Sequence, residues 1–187
     1  EKIRQLDPDN PTALQLSGVL ASQAGQQEIS ITLLSRAISL KPDYSEAFNH
    51  RGVTYKKLGN LAEALEDYNR AIELSPKYAD ALYNRGIIFQ EMNRIPEALE
   101  DYNKAIFLSP NLISAINNRG LILRQLKRFN EAVTDFSKII EMDETNLEAL
   151  ADPPRSVFTK LHPVFFYSST QVSTPCEILG AVRGVFF

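Results

Sequence analysis

Glycine recurs at Gly18, Gly52, Gly86 and Gly120, an interval of 34 residues that four further sequence phases share. Proline keeps it at Pro8, Pro42, Pro76 and Pro110. Alanine keeps it twice, at Ala64, Ala98 and Ala132 and at Ala37, Ala71 and Ala105. A large side chain holds the last phase, at Leu34, Tyr68, Tyr102 and Phe136. A period of this length makes each unit one supersecondary element, too small to bury its own apolar face except against its neighbours. At 44% hydrophobic and 23% charged, the 187-residue chain has a globular composition and suits a short array of such units.

Each unit reads as two helices. In "NLAEALEDYNRAIELSP" the apolar residues Leu61, Ala64, Leu65, Tyr68, Ala71 and Ile72 follow i, i+3, i+4, i+7 spacing, and Pro76 stops the helix. The preceding "SEAFNHRGVTYKKLG" offers Ser45 as N-cap and Gly59 as the left-handed residue after the helix, a place that Asn93 takes one unit later. Pro96 falls near the start of its helix, where a missing N–H costs nothing. The spacing predicts helices near 11–24, 28–40, 45–58, 61–74, 79–92, 95–108, 113–126 and 129–142.

With these residues the chain resembles the tetratricopeptide repeat (TPR) family, whose pattern sets a large residue at position 4, a small one at 8, alanine at 20 and 27 and proline at 32. Units begin at Pro11, Ser45, Ala79 and Ile113, so position 4 is Leu14, Phe48, Leu82 and Ile116. The likeness covers 11–146: a degenerate first repeat at 11–44, then 45–78, 79–112 and 113–146. Unit 1 departs most, with Ala21 and Ser30 at positions 11 and 20, and unit 4 carries Ile139 and Glu144 at positions 27 and 32. The resemblance implies an all-α solenoid, a right-handed superhelix of antiparallel helix pairs with a concave face lined by the first helices.

Residues 1–10 align with the close of a second helix, Leu6 and Pro8 matching Leu40 and Pro42, so a further repeat is expected upstream. Residues 147–187 begin as a fifth unit that Pro153 and Pro154 abort, and continue as an aromatic, weakly charged tail. Two readings of that tail stand: a poorly ordered or spliced end, or a segment that docks a partner or covers the terminal repeat, where Phe136, Ile139 and Ile140 are expected to need a cover.

No catalytic constellation emerges. His50 and His162 have no Cys or His at metal-ligand spacing, Cys176 has no base pattern, and no phosphate-cradling glycine motif is present. Carboxylates such as those of "EDY" at 66–68 and 100–102 recur with the repeat, which suits a scaffold. The expectation is a protein that is not an enzyme and takes no cofactor or metal. A net charge of −3 does not point to nucleic acid or a membrane surface, and no apolar run reaches the roughly 18 residues of a span. A single cysteine suits a reducing, cytoplasmic compartment.

What remains is a surface for a protein or peptide partner. The resemblance implies that positions 2, 5, 6, 9, 12 and 13 face the groove. In this chain they include Glu46, Asn49, His50, Asp80, Tyr83, Asn84, Ser114, Asn117, Asn118 and Arg124. Amides in a row both donate to and accept from an extended backbone. A chaperone-type carboxylate clamp is not expected, because its positions hold Asn49, Val53, Asn84, Ser114 and Asn118 and lack the cations. The asparagine-lined superhelix of O-linked N-acetylglucosamine transferases is a better likeness. The leading expectation is a non-enzymatic interaction scaffold; the alternative is the regulatory or substrate-recognition arm of a larger enzyme.

"LYNRGIIF" at 82–89 condenses the pattern. Gly86 reads as packing and Asn84 as binding. Arg85 shares its phase with Arg51 and Arg119, each in a unit that also carries Asp67, Asp101 or Asp135. Unit 1 has Ser17 and Leu33 instead, losing both together. The covariation predicts an Arg–Asp pair between the two helices of a unit, against an alternative in which the arginines meet an acidic ligand.

Overall fold

In the computed structural model, residues 9–142 are described. They form eight helices: α1 (Pro11–Gln23), α2 (Gln27–Leu40), α3 (Ser45–Lys57), α4 (Leu61–Leu74), α5 (Ala79–Glu91), α6 (Ile95–Leu108), α7 (Ile113–Gln125) and α8 (Phe129–Met142). The start of the chain through residue 8, the last residues of the 113–146 unit and the whole of 147–187 lie outside the described residues.

Two kinds of turn alternate and build the array. Within a hairpin, three residues join the helices, and the middle one has positive φ: Gly25 (77°), Gly59 (79°), Asn93 (58°) and Lys127 (60°). The following N–H returns to a carbonyl five residues back, as from Asn60 to Tyr55 at 3.0 Å and from Arg94 to Phe89 at 2.7 Å. This is the Schellman closure of a helix end, which glycine fits without strain. Between hairpins a four-residue link carries the periodic proline at its second place, and Tyr78 N–H closes the turn on Ser75 O at 3.0 Å. Ser45 is not an N-cap. It is the first helical residue, preceded by Tyr44, and its hydroxyl donates to Glu46 Oε2 at 3.0 Å. The proline turn already sets the chain's entry angle, so α3 starts without a side-chain cap.

Packing explains the other phases. A Cβ added at Gly86 would lie 2.7 Å from Tyr102 Cε1, closer than any real contact, and Gly18, Gly52 and Gly120 meet Leu34, Tyr68 and Phe136 in the same way. Glycine on the first helix is therefore matched to a large ring or Leu on the second. Each hairpin packs on the next through its second helix, α2 on α3, α4 on α5 and α6 on α7, while α1 touches α3 and α3 touches α5 directly. The first helices thus form one layer and the second helices another. Phe136 and Ile139 are buried and Ile140 half-buried, Phe136 filling the space over Gly120 within its own hairpin; the expected cover for this end lies outside the described residues.

The seam between the first two units departs chemically from the later ones. Ser30 stands where Ala64, Ala98 and Ala132 stand elsewhere, and Thr54 where Ile88 and Ile122 stand. Their buried hydroxyls lie 3.1 Å apart, and Thr54 Oγ1 also donates toward Ser22 Oγ at 3.3 Å. This seam is polar and paired, so no group is stranded.

Candidate partner-binding face

On α3, Glu46, Asn49, His50, Val53, Lys56 and Lys57 recur at i, i+3, i+4, i+7, i+10 and i+11, a spacing that places them on one face. The same phases on α5 and α7 hold Asp80, Tyr83, Asn84, Ile87 and Glu91, and Ser114, Asn117, Asn118, Leu121 and Arg124. Glu46, Asp80 and Ser114 are exposed. His50, Tyr83, Asn84, Asn117, Asn118 and Arg124 are half-buried, and Asn49 is buried.

Asn49, Asn84 and Asn118 are not free polar surface. Asn49 Nδ2 donates to the Tyr78 hydroxyl at 3.2 Å, and Asn84 Nδ2 donates to Asn49 Oδ1 at 2.9 Å, so two adjacent units are joined. One unit on, Asn118 Nδ2 donates to the Tyr102 hydroxyl at 3.4 Å, and that hydroxyl donates to Gln90 Oε1 at 2.9 Å. Tyr83 packs on Tyr102 with ring centres 6.0 Å apart. Burial pushes the Tyr78 and Tyr102 phenols up to about 12, so both remain hydrogen-bond donors across the ordinary pH range. Burial also lowers the His50 pKa, against the opposing pull of Glu46 and Asp80, and keeps the imidazole neutral.

The arginines point elsewhere. Arg85 donates from Nε and Nη2 to Asp101 at 2.7 and 2.8 Å, and from Nη1 to Asn69 of the preceding hairpin at 2.9 Å. Arg51 repeats this with Asp67 at 2.9 and 2.7 Å and with Ser35 at 2.9 Å. Arg119 repeats it with Asp135 and with Asn103, the latter at 2.7 Å. Each aspartate is nearly buried while its arginine stays partly wet, and Arg51 and Arg85 lie against the rings of Phe48 and Phe89. Burial raises the Asp67 carboxyl above its ordinary value, an effect that the Arg51 hydrogen bonds oppose. The hydrogen bond to Asp67 raises the Arg51 pKa. Such a guanidinium is a strut across three helices, with three donors already committed to protein acceptors.

Sequence reasoning did not find the third contact of each strut, although Asn69 and Asn103 stand 34 residues apart and carry the signal. It also missed the roles of Tyr78 and Tyr68; Tyr68 carries no binding signature because its phase holds a large side chain in every unit. Among the described residues no group of three or more His, Cys, Asp or Glu could hold a metal, and no helix is long and apolar enough to cross a membrane.

The family profile described as TPR repeat matches residues 22–59 and 55–93, and tetratricopeptide repeat profiles match 79–112 and 113–146. The chain belongs to the tetratricopeptide repeat family. Solved structures agree. MamA is 28% identical over 79% of this chain and 86% of its own, with a TM-score of 0.67. YrrB is 20% identical over 79% of this chain and 76% of its own, with a TM-score of 0.66. PilF of Pseudomonas aeruginosa is 17% identical over 79% of this chain and 67% of its own, with a TM-score of 0.72. At those identities YrrB and PilF speak to the fold alone. No curated protein matches the chain. The TPR solenoid is a protein-interaction scaffold, and the arrangement above supplies it with a continuous amide- and tyrosine-bearing face.

Proposed function

We propose that this chain is a non-catalytic binding module that holds an extended or helical segment of a partner protein along the face of α3, α5 and α7. One observation carries the reading. Amide and phenol groups from successive units meet on that face, with the half-buried Val53, Ile87 and Leu121 alongside them. Such a strip offers donors and acceptors to a peptide backbone and an apolar seat for its side chains. YrrB, alike in fold, is described as a TPR protein with an unusual peptide-binding site. Asn84 and Asn118 are the residues through which the reading is tested. The assay is affinity capture followed by mass spectrometry on wild type and on Asn84→Ala plus Asn118→Ala, at a temperature where both are fully folded. Loss of specific partners from the variant is the expected result. An identical set of captured proteins would sink the proposal.

A further inference from the structure

Tyr68 and Tyr102 occupy one repeat phase and both are 0% exposed, yet their hydroxyls have different fates. The Tyr102 hydroxyl donates to Gln90, twelve residues before it, and accepts from Asn118, sixteen residues after it. The same two offsets from Tyr68 give Lys56 and Asn84. Lys56 has only protons to donate and lies 3.5 Å from Glu91 Oε1. Asn84 Nδ2 is turned to Asn49. Among the described residues, Tyr68 Oη is the one buried side-chain polar atom without a hydrogen-bond partner. Buried polar groups are nearly always paired, so an orphaned hydroxyl on the seam between two repeats calls for an explanation.

Resting on the partner-binding reading above, we infer that the Tyr68 hydroxyl is the receiving point for one neutral carbonyl oxygen of the bound segment, from the main chain or from an Asn or Gln side chain. Three groups gather at this seam by repeat phase: the Tyr68 phenol, the Lys56 ammonium and the Asn84 amide. Each has a proton to donate, and none turns an acceptor onto the phenol as Gln90 does one unit later. Burial, with the nearby Asp67 and Glu91 charges, raises the Tyr68 pKa, so the O–H stays a donor that calls for an acceptor. Glu91 also selects among acceptors, because its carboxylate already holds Lys56 and repels a second anion. A neutral amide carbonyl therefore fits better than a carboxylate. Lys56 and Asn84 are each held by a single partner, Glu91 or Asn49.

The test uses the full chain and peptides selected from a phage-displayed random 12-residue library, the consensus peptide being labelled with fluorescein. Tyr68→Phe is expected to leave the melting temperature within about 1 °C of wild type, because no internal bond is lost. It should raise the peptide Kd by about three- to tenfold. Tyr102→Phe, which breaks two internal bonds, is expected to lower the melting temperature clearly. Peptides with Gln→Glu or Asn→Asp changes, and peptides with single backbone ester links, separate side-chain from main-chain carbonyl sources. An unchanged Kd in Tyr68→Phe overturns the inference, as does a loss of stability matching that of Tyr102→Phe. Peptides that lose affinity for Asn84→Ala plus Asn118→Ala but not for Tyr68→Phe overturn it while leaving the groove reading intact. A library that yields no binder overturns both.

Discussion

Asp101 is 3% exposed at its side chain and accepts two hydrogen bonds from Arg85, whose own side chain is 19% exposed. This asymmetry predicts unequal single-mutant effects. Arg85→Met strands a buried carboxylate and is expected to destabilise by about 3–5 kcal/mol. Asp101→Leu strands a guanidinium that still donates to Asn69 and still reaches water, so its effect should be smaller, about 1.5–3 kcal/mol. With both changed, an apolar pair of similar volume replaces the ion pair, and the net effect should lie within about 1 kcal/mol of wild type. With the double variant near wild type, the coupling energy is the sum of the two single losses, about 4.5–8 kcal/mol. Urea unfolding followed by far-ultraviolet circular dichroism measures all four corners. A coupling below about 0.5 kcal/mol would refute the strut. The third arm gives an independent check. Asn69→Ala should lower stability by about 1 kcal/mol and reduce the sharpness of the transition, because stability in a stacked array includes nearest-neighbour terms and this bond is one of them.

Three further outcomes follow from the geometry. Gly86→Ala places a Cβ 2.7 Å from a ring whose hydroxyl is held on two sides, so about 1–3 kcal/mol of overpacking outweighs the gain in helix propensity; a stability equal to wild type in urea would contradict this. Lys127 adopts φ 60° where its counterparts in the first two units are glycines, and Lys127→Gly should raise stability by about 0.5–1 kcal/mol, read as a higher melting temperature, with a decrease arguing against backbone strain there. Folding lowers the His50 pKa, so its neutral form is favoured: stability is full above the ordinary value of 6.5 and declines as pH falls from there through the folded pKa. His50→Asn, the residue at that phase in the next two units, should flatten this acid limb of the pH–stability profile, and an unchanged limb would assign it to other groups.

The legibility of the chain varies with the kind of contact. Helix ends were readable to within about one residue because proline turns and positive-φ residues act locally. Gly86 and Tyr102 were readable as a pair because a close approach admits few residue types and the constraint recurs in every unit. Arg85 and Asp101 were readable because unit 1 loses both members at once. Ser45 misled, since a serine before an apolar run signals a cap only when the preceding turn leaves the entry direction open.

The sequence by itself determined the solenoid: an interval of 34 residues, repeated at five phases, admits only stacked helix pairs with glycine against a large side chain. Tertiary structure alone decided where the amides point. Asn84 and Asn118 share a phase and a residue type, yet one turns to Asn49 and the other to Tyr102. Alternative hydrogen bonds of an amide differ by little free energy, and the choice depends on what the neighbouring units present: Asn49 on one side, and Lys56 rather than Gln90 beside the phenol. Packing phases are written into each unit, whereas the partners of Asn84 and Asn118 on the face of α3, α5 and α7 lie in the preceding unit.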